Sequence, residues 1–170
     1  MQAVARANVV HEPRHAVGDV ALAARCASTT TLITAEHAAA VEDLARRIHA
    51  ASDRATFPLE LVAAATLPID TAALTERCAA LLDTARGGSL LVTDVEHLPA
   101  TVQDRLIETF AHLQAARRST DRVRLIAGTT TSLYKRIADG SFCERLFYRL
   151  NVIHVVPEND AAGGSAGGLA

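Results

Sequence analysis

The sequence predicts a three-layer α/β/α fold around a five-stranded, mostly parallel β-sheet. The clearest sign is the segment Ser89–Val95, which is almost continuously apolar, as expected of a strand that helices cover on both faces. The second sign is that such short apolar segments alternate with helical patterns of about 10 to 16 residues, the order typical of parallel strands joined by crossover helices. An α/β fold with one sheet follows from these two observations.

Five segments have the composition of strands. They are Thr29–Thr34, Leu59–Thr66, Ser89–Val95, Arg122–Gly128 and Val152–Val156. The first and third are rich in β-branched or apolar residues, whereas the alanines of the second weaken its strand character.

The segments between these strands have apolar residues at helical spacing. The predicted helices are Val20–Cys26, Ala35–Ser52, Asp70–Asp83 and a helix after Pro99. The apolar stripe of Ala35–Ser52 consists of Val41, Leu44, Ala45 and Ile48, and that of Asp70–Asp83 consists of Ala73, Leu74, Cys78, Leu81 and Leu82. The helix after Pro99 has Val102, Leu106, Phe110 and Leu113 on one side. A last helix is expected near Ser141, because Ser141 and Glu144 have the spacing of a capping box.

A length of 170 residues suits one domain with a substantial core. We expect a loose lead-in over residues 1–18, an α/β core over 19–157 and a flexible Gly/Ala-rich tail over 158–170.

Composition argues against several classes of protein. The net charge is −2 and the 17 lysine and arginine residues are scattered, so direct nucleic-acid binding is not expected. No segment approaches the ~20 apolar residues of a membrane span, and the N-terminus lacks the pattern of a secretory signal. We therefore expect a cytoplasmic protein. Cys26, Cys78 and Cys143 have no CxxC spacing, which indicates neither a disulfide framework nor a zinc site.

Three segments in the last third of the chain resemble one protein family. They read ARGGSLLVTDVEHLPATVQDRLIETF (85–110), RVRLIAGTTTSL (122–133) and GSFCERLFYRLNVIHVV (140–156). They are similar to the central AAA+ module of the sigma-54-dependent transcription activators, which use ATP hydrolysis to remodel RNA polymerase. The resemblance covers 19–157 and implies a P-loop NTPase fold and a role in transcription regulation.

The family's phosphate-binding loop should lie between the first strand and its helix. That loop needs glycines, which turn backbone N–H groups inward, and a lysine that reaches the phosphates. This chain has alanines where the glycines are expected, at Ala35, Ala38 and Ala40. By the same resemblance His37 replaces a small polar residue, Val41 replaces the lysine, and only Glu42 matches.

Each alanine forced into left-handed geometry would cost ~1–2 kcal/mol, and alanine is the best helix former. We therefore predict that Ala35–Ala40 joins the helix, with Thr34 as N-cap, which would close the phosphate cradle. The alternative is a retained loop that binds nucleotide weakly at the helix N-terminus.

The resemblance also assigns catalytic positions at the strand ends. Thr93 stands where the family has its magnesium-binding Asp, and Asp94 stands where it has the catalytic Glu. A threonine cannot supply the charge that holds Mg²⁺, so the favoured interpretation is that both residues merely cap a strand. Thr130 replaces an asparagine that orients water.

Two family arginines would reach the nucleotide of a neighbouring subunit. Cys143 occupies the first position, and Arg149 keeps the second. Arg149 could equally form a salt bridge with Glu144 or another carboxylate. The chain also lacks the Gly-Ala-Phe-Thr-Gly-Ala insertion that grips the sigma factor in the family. We expect no lid domain, second sensor arginine or DNA-binding helix pair after Pro157.

An unrelated site remains an alternative near the end of the third strand. Asp94, Glu96 and His97 lie close in sequence where α/β sheets place ligand sites, although polar residues in a loop that runs into Pro99 are ordinarily solvated. The remaining polar residues considered are expected to be solvated. They are His11 and His15 in the lead-in and Arg46, Arg47 and Arg54 on the wet face of the first long helix.

Taken together, the substitutions predict a degenerate AAA+ domain, with degenerate Walker A and Walker B motifs. It would act as a non-hydrolysing pseudo-ATPase, a regulatory or protein-interaction module in transcription regulation. No catalytic residue, metal ligand or cofactor is assigned. The first alternative is a transcriptional regulator of the same family that still binds ATP and Mg²⁺. The second is a fragment whose lid and DNA-binding parts lie on another chain. Expected partners are proteins, either a second copy of the chain or another AAA+ regulator.

Overall fold

The computed structural model describes residues 20–157. Its strands are β1 Thr31–Thr34, β2 Leu59–Ala63, β3 Ser89–Thr93, β4 Arg124–Thr129 and β5 Ile153–Val155. Its α-helices are α1 Val20–Arg25, α2 Ala38–Ala50, α3 Thr71–Thr84, α4 Ala100–Ala115, α5 Leu133–Ala138 and α6 Glu144–Leu150. Single 3₁₀ turns span Ala64–Thr66, Val95–His97 and Ser119–Asp121. The predicted lead-in and tail lie outside the described residues.

The five strands form one sheet in the order β2-β3-β4-β1-β5, and every strand pairing is parallel. β1 lies between β4 and β5, with Thr34 opposite Thr129 and Ile33 opposite Val155. This arrangement confirms the predicted fold class. It also brings the carboxyl ends of β1, β3 and β4 to the same edge of the sheet.

Apolar side chains fill both faces of this sheet. On one face Ile33, Leu91 and Ile126 pack with the buried stripe of α2, which consists of Val41, Leu44, Ala45 and Ile48 as predicted. On the other face Leu32, Leu90, Val92 and Ala127 pack with α3, α4 and α6. Alternate residues of a strand therefore enter different cores, and β3 is buried throughout.

Several local predictions were wrong. α5 was not predicted, and the second predicted strand stops at Ala63, where the alanine-rich segment turns into a 3₁₀ helix. The capping box does not form: α6 begins at Glu144 with Cys143 as N-cap. The Ser141 N–H bonds to Asp139 instead, at 2.9 Å. No helix among residues 20–157 is both long and apolar enough to cross a membrane.

Arg54 is not on the wet face of a helix, as the sequence suggested. α2 ends at Ala50, and hydrogen bonds from Ser52 to His49 and from Arg54 N–H to Ser52 turn the chain away. The half-buried Arg54 guanidinium then donates to backbone carbonyls that precede three strands. These acceptors are Ala27, Gly87, Gly88 and Arg122, at 3.0, 2.5, 3.4 and 2.7 Å. Arg46 and Arg47 are exposed on α2 as predicted.

Two buried side chains extend this polar network along the amino ends of the strands. The Arg124 guanidinium, which is 1% exposed, donates to the Ala23 carbonyl and to the Thr31 hydroxyl, both at 2.7 Å. Burial lowers its pKa to about 10, so it stays charged at neutral pH. The His49 ring bonds through Nε2 to the Phe57 carbonyl and through Nδ1 to the Ser89 hydroxyl, both at 3.0 Å.

Candidate functional site

The segment after β1 only partly joins the helix. Ala35 stays in register with β4, because its N–H donates to the Thr129 carbonyl at 3.2 Å. α2 begins at Ala38 with His37 as N-cap, so Ala38–Ala40 are helical and Ala35–His37 are not. Thr34 is therefore not the predicted N-cap. Its hydroxyl is hydrogen-bonded to His154 at 2.9 Å, which ties it to the neighbouring strand β5.

The alanines of this segment avoid left-handed backbone. Among residues 20–157, Asp94 is the only non-glycine residue with positive φ. Residues 35–40 therefore do not reproduce the glycine-dependent turns of a phosphate loop. His37, the N-cap of α2, is exposed, and Glu42 in the first turns of α2 is half-exposed. Glu42 forms a hydrogen bond with Arg46 at 3.2 Å.

Val41 is part of the core. Its side chain is 1% exposed and packs with Ile33, Leu91 and Ile126. A Cβ added to Gly128 would lie 2.3 Å from Val41 Cγ1, so the valine sits directly on the backbone of β4. The position at which a lysine was expected thus holds an uncharged side chain on the buried face of α2.

At the end of β3, Thr93 is paired with Ala63 and is almost fully buried. The next residue, Asp94, has φ 54° and ψ 42°, a left-handed conformation that Asp tolerates better than most residues. This conformation ends β3 and starts the 3₁₀ turn Val95–His97. Thr93 is the last residue of β3, and the Asp94 that follows it makes no side-chain hydrogen bond with a described residue.

Glu96 was expected in a solvated loop, but it is 2% exposed. Its Oε1 accepts hydrogen bonds from the N–H and the hydroxyl of Thr130, at 3.1 and 3.0 Å. The side chain turns inward because the 3₁₀ turn packs against β4, and Arg136 donates to the Glu96 carbonyl at 2.6 Å. Thr130, predicted as a site residue, therefore contacts Glu96, a link that no periodic pattern in the sequence indicates.

The Glu96 carboxyl group is ionised at neutral pH. Burial by itself raises its pKa, but the hydrogen bonds from Thr130 and the nearby polar hydrogens of its own backbone N–H and of Thr129 outweigh burial and lower the pKa from 4.5. A negative charge is thus held inside the sheet edge, between the ends of β3 and β4.

Arg149 lies apart from these residues, on the exposed side of α6. It forms no salt bridge with Glu144 or with any other acidic residue within 20–157. Cys143 at the start of α6 donates its N–H to Gln103 Oε1 at 2.7 Å. The Gln103 amide also donates to the carbonyls of Leu98 and Ser141, at 2.8 and 3.3 Å, so this buried glutamine on α4 positions α6. Sequence reasoning missed it, because it lies between apolar positions of a helical stripe.

Residues 7–156 match the family model described as the sigma-54 interaction domain. The chain belongs to this family. Nitrogen assimilation regulatory protein NtrX of Azorhizobium caulinodans is 28% identical over 167 residues, which are 89% of this chain and 36% of the relative. DNA-binding transcriptional regulator NtrC of Escherichia coli K12 is 33% identical over 147 residues, which are 75% of this chain and 31% of the relative. The chain therefore spans about a third of the length of these relatives.

Solved structures agree with this assignment. NtrX from Brucella abortus in complex with ATP superposes with a TM-score of 0.65 at 28% identity, over 81% of this chain and 34% of that one. The P-loop NTPase domain of a sigma-54 activator from E. coli superposes with a TM-score of 0.52 at 19% identity, over 75% of this chain and 82% of that one, which shows the fold. The predicted resemblance and the P-loop NTPase fold are confirmed.

Proposed function

We propose that this member of the sigma-54 interaction domain family is a non-hydrolysing AAA+ core, which works as a regulatory or protein-interaction module in transcription regulation. The observation that carries the proposal is the burial of Val41 against Gly128, at the position where the family resemblance expects the phosphate-binding lysine. An apolar side chain there supplies none of the charge-assisted contacts, worth about 1.5–3 kcal/mol each, that a triphosphate requires.

The residues around Val41 are equally unsuited to magnesium and triphosphate. Ala35 donates its N–H to the Thr129 carbonyl, and Ala38 and Ala40 are helical, so these alanines do not build the glycine loop whose N–H groups hold phosphate. The buried Thr93 has a hydroxyl in place of a carboxylate at the magnesium position. The proposed protein thus retains the sheet of an ATPase without the groups that neutralise its ligand.

A protein-interaction role is supported by the edge of the sheet formed by β5. Tyr148 on α6 is 61% exposed and Val152, just before β5, is 60% exposed, next to the exposed Arg149. β5 pairs with β1 on one side and with no described strand on the other. An aromatic and an aliphatic side chain beside an arginine have the composition of interface cores. We propose a second copy of this chain or another AAA+ regulator as the partner.

The same family resemblance assigns sigma-factor binding to an insertion that this chain lacks. The segment between β2 and β3 consists of the turn Ala64–Thr66, α3 and short connections. We propose that the module does not grip the sigma factor through such a loop, and that it acts by docking on its protein partner.

Isothermal titration of ATP, with and without Mg²⁺, tests the loss of nucleotide binding. We expect no binding at micromolar ATP for the natural chain. The variant Ala35→Gly, Ala38→Gly, Ala40→Gly, Val41→Lys, Thr93→Asp should gain binding. Its matched control carries the three glycines alone and should not. Micromolar binding by the natural chain would favour the ATP-binding regulator and reject the proposal.

Analytical ultracentrifugation tests the partner. We expect a concentration-dependent increase in mass, which Tyr148→Glu should abolish and the exposed Arg47→Glu on α2 should not. If the natural chain stays monomeric at about 100 μM, mass spectrometry of proteins cross-linked to it should identify an AAA+ regulator. Failure of both experiments would reject the interaction role.

A further inference from the structure

Three side chains with metal-binding atoms meet at the carboxyl end of β3. One oxygen of Asp94, one oxygen of Glu96 and one ring nitrogen of His97 all lie within 4.8 Å of one another. They come from four consecutive residues, and the left-handed Asp94 followed by the 3₁₀ turn Val95–His97 brings them together. A fully extended chain would instead alternate these side chains between opposite faces of the sheet.

The buried member of this group has an oxygen without a donor. Glu96 Oε1 is bonded to Thr130, but Glu96 Oε2 is fully buried and accepts no hydrogen bond from any described residue. Buried carboxylate oxygens are nearly always paired with a donor or a metal ion, because an unpaired one loses the solvation that water provided. This unpaired oxygen is independent evidence of a ligand, beyond the proximity of the three groups.

The other two members also have free lone pairs within the described part of the chain. No side-chain hydrogen bond or salt bridge joins Asp94 or His97 to residues 20–157, although the backbone His97 N–H bonds to the Asp94 carbonyl at 2.9 Å. Asp94 is half-buried and His97 is exposed, so the group opens to solvent on one side. Arg136 donates to the Glu96 backbone carbonyl, at 2.6 Å, and leaves the Glu96 carboxylate to Thr130.

We propose that Asp94, Glu96 and His97 form a binding site for a divalent transition-metal ion of the zinc type. One imidazole nitrogen and two carboxylate oxygens are a ligand set of borderline softness, which suits zinc better than magnesium. Two ligand atoms at the usual zinc distances lie about 3.4 Å apart in a tetrahedron. Rotation of the side chains would bring the ligand atoms, now within 4.8 Å of one another, to this separation. Three protein ligands leave the fourth position to water on the solvent side.

This site shares Asp94 with the catalytic positions that the family resemblance assigns, but its other two ligands, Glu96 and His97, have no such assignment. It uses no residue of 35–41, and it excludes Thr93, the residue at which the family resemblance expects magnesium. The ion would fix the 3₁₀ turn to the end of β4 through Glu96 and Thr130. Zinc binding is therefore measured in the absence of nucleotide, and it can fail or succeed whatever the result of the ATP titration.

The test is titration of the metal-free chain with Zn²⁺, followed by calorimetry and by thermal unfolding. We expect one zinc ion per chain and an increase in Tm, because the ion binds the folded state. Asp94→Asn, Glu96→Gln and His97→Ala should each weaken binding at least about tenfold. Asparagine tolerates the left-handed backbone at 94, and glutamine can still accept from Thr130, so both variants keep the local fold. The exposed His97→Ala keeps the test decisive if Glu96→Gln is unstable.

Two control variants separate this site from other histidines. His112→Ala, exposed on α4, and the pair His11→Ala, His15→Ala should bind zinc like the natural chain. A millimolar excess of Mg²⁺ should not displace the ion. The proposal is overturned if zinc does not bind, if His97→Ala binds it unchanged, if the His11/His15 pair abolishes binding, or if Mg²⁺ competes equally.

Discussion

At the amino ends of the strands, Arg54 donates to four backbone carbonyls and His49 bonds through both ring nitrogens. At the carboxyl ends, by contrast, Asp94 and His97 have no side-chain hydrogen bond with a described residue, and one Glu96 oxygen is buried without a donor. The amino edge thus uses most of its polar groups to hold strands and loops together, although Arg124 Nε and Nη1 are buried there without an acceptor among residues 20–157. The carboxyl edge keeps polar groups that the fold does not consume, which is what a ligand site requires.

The comparison also holds for close backbone contacts. At the amino edge, a Cβ on Gly88 would lie 1.9 Å from the Pro58 carbonyl oxygen, which is backbone of the neighbouring strand connection. Near the carboxyl edge, a Cβ on Gly128 would meet a side chain, Val41. The Pro58 backbone cannot move away from a methyl group at position 88 without breaking the β2–β3 pairing. The Val41 side chain, by contrast, can be shortened by substitution to make room at position 128.

The largest expected effect is therefore that of Gly88→Ala. We expect a loss of more than about 3 kcal/mol in the free energy of unfolding, because the Pro58 carbonyl that accepts from Ser89 N–H must move away. Urea unfolding followed by circular dichroism measures this. A loss below about 1 kcal/mol would show that the amino edge is more pliable than its hydrogen bonds indicate.

Arg54→Ala should have the next largest effect, about 2–3 kcal/mol. The substitution leaves the carbonyls of Ala27, Gly87 and Arg122 without their charged donor at a half-buried position. The control is Arg46→Ala, whose exposed salt bridge with Glu42 on α2 is worth ~0.3–0.5 kcal/mol. Equal losses for the two variants in the same urea experiment would contradict the structural role of the amino edge.

The sequence predicts some of the residues at the two edges of the sheet and not others. The stripe from Val41 to Ile48 and the apolar strand β3 follow from period and composition, and the fold class follows with them. Arg54 and Glu96 were both assigned to solvent, because their burial is created by turns that bring distant strand ends together. No local pattern encodes which carbonyl or hydroxyl such a side chain will meet.

The start of α2 shows the same limit at a predicted site residue. Alanine propensity favoured a helix from Ala35 onward, but the Ala35 N–H bonds to the Thr129 carbonyl of β4, and the helix begins only at Ala38. Tertiary pairing overrides propensity there. The replacement of the lysine by Val41 could be read from the alignment of motifs alone, whereas its contact with Gly128 required the structure.

Gly128→Ala should cost about 2 kcal/mol, less than Gly88→Ala, because its new methyl group overpacks against a side chain. Val41→Ala should remove most of this penalty. The double variant should therefore be more stable than the sum of the two single losses predicts, by about 1 kcal/mol or more. Additive losses in this double-mutant cycle would show that Val41 and Gly128 are not in direct contact.

The smallest expected effect is on the pH dependence of stability. His49 at the amino edge and Glu96 at the carboxyl edge should affect it in different pH ranges. Burial, with smaller contributions from the charges of Arg124 and Arg54, lowers the pKa of His49 from 6.5, although its bond to Phe57 opposes this. The unfolded chain therefore takes up a proton that the folded chain resists, and stability falls as the pH drops through about 6.5. His49→Gln should flatten this part of the curve.

Glu96 should also make stability fall as the pH drops, but in a lower pH range than His49. Its pKa is lowered from 4.5, so the folded chain keeps the carboxylate when the unfolded chain is already protonated. The stabilisation is complete above about pH 5 and is lost as the pH falls below the unfolded value toward the folded one. Glu96→Gln should flatten only this acidic part, while His49→Gln leaves it intact. Urea unfolding of the natural chain and both variants from pH 7.5 to 3.5, without added metal, measures the two windows. If Glu96→Gln instead changed the curve near pH 6.5, the pKa of Glu96 would be raised and not lowered in the folded state, and the hydrogen bonds from Thr130 would not outweigh burial.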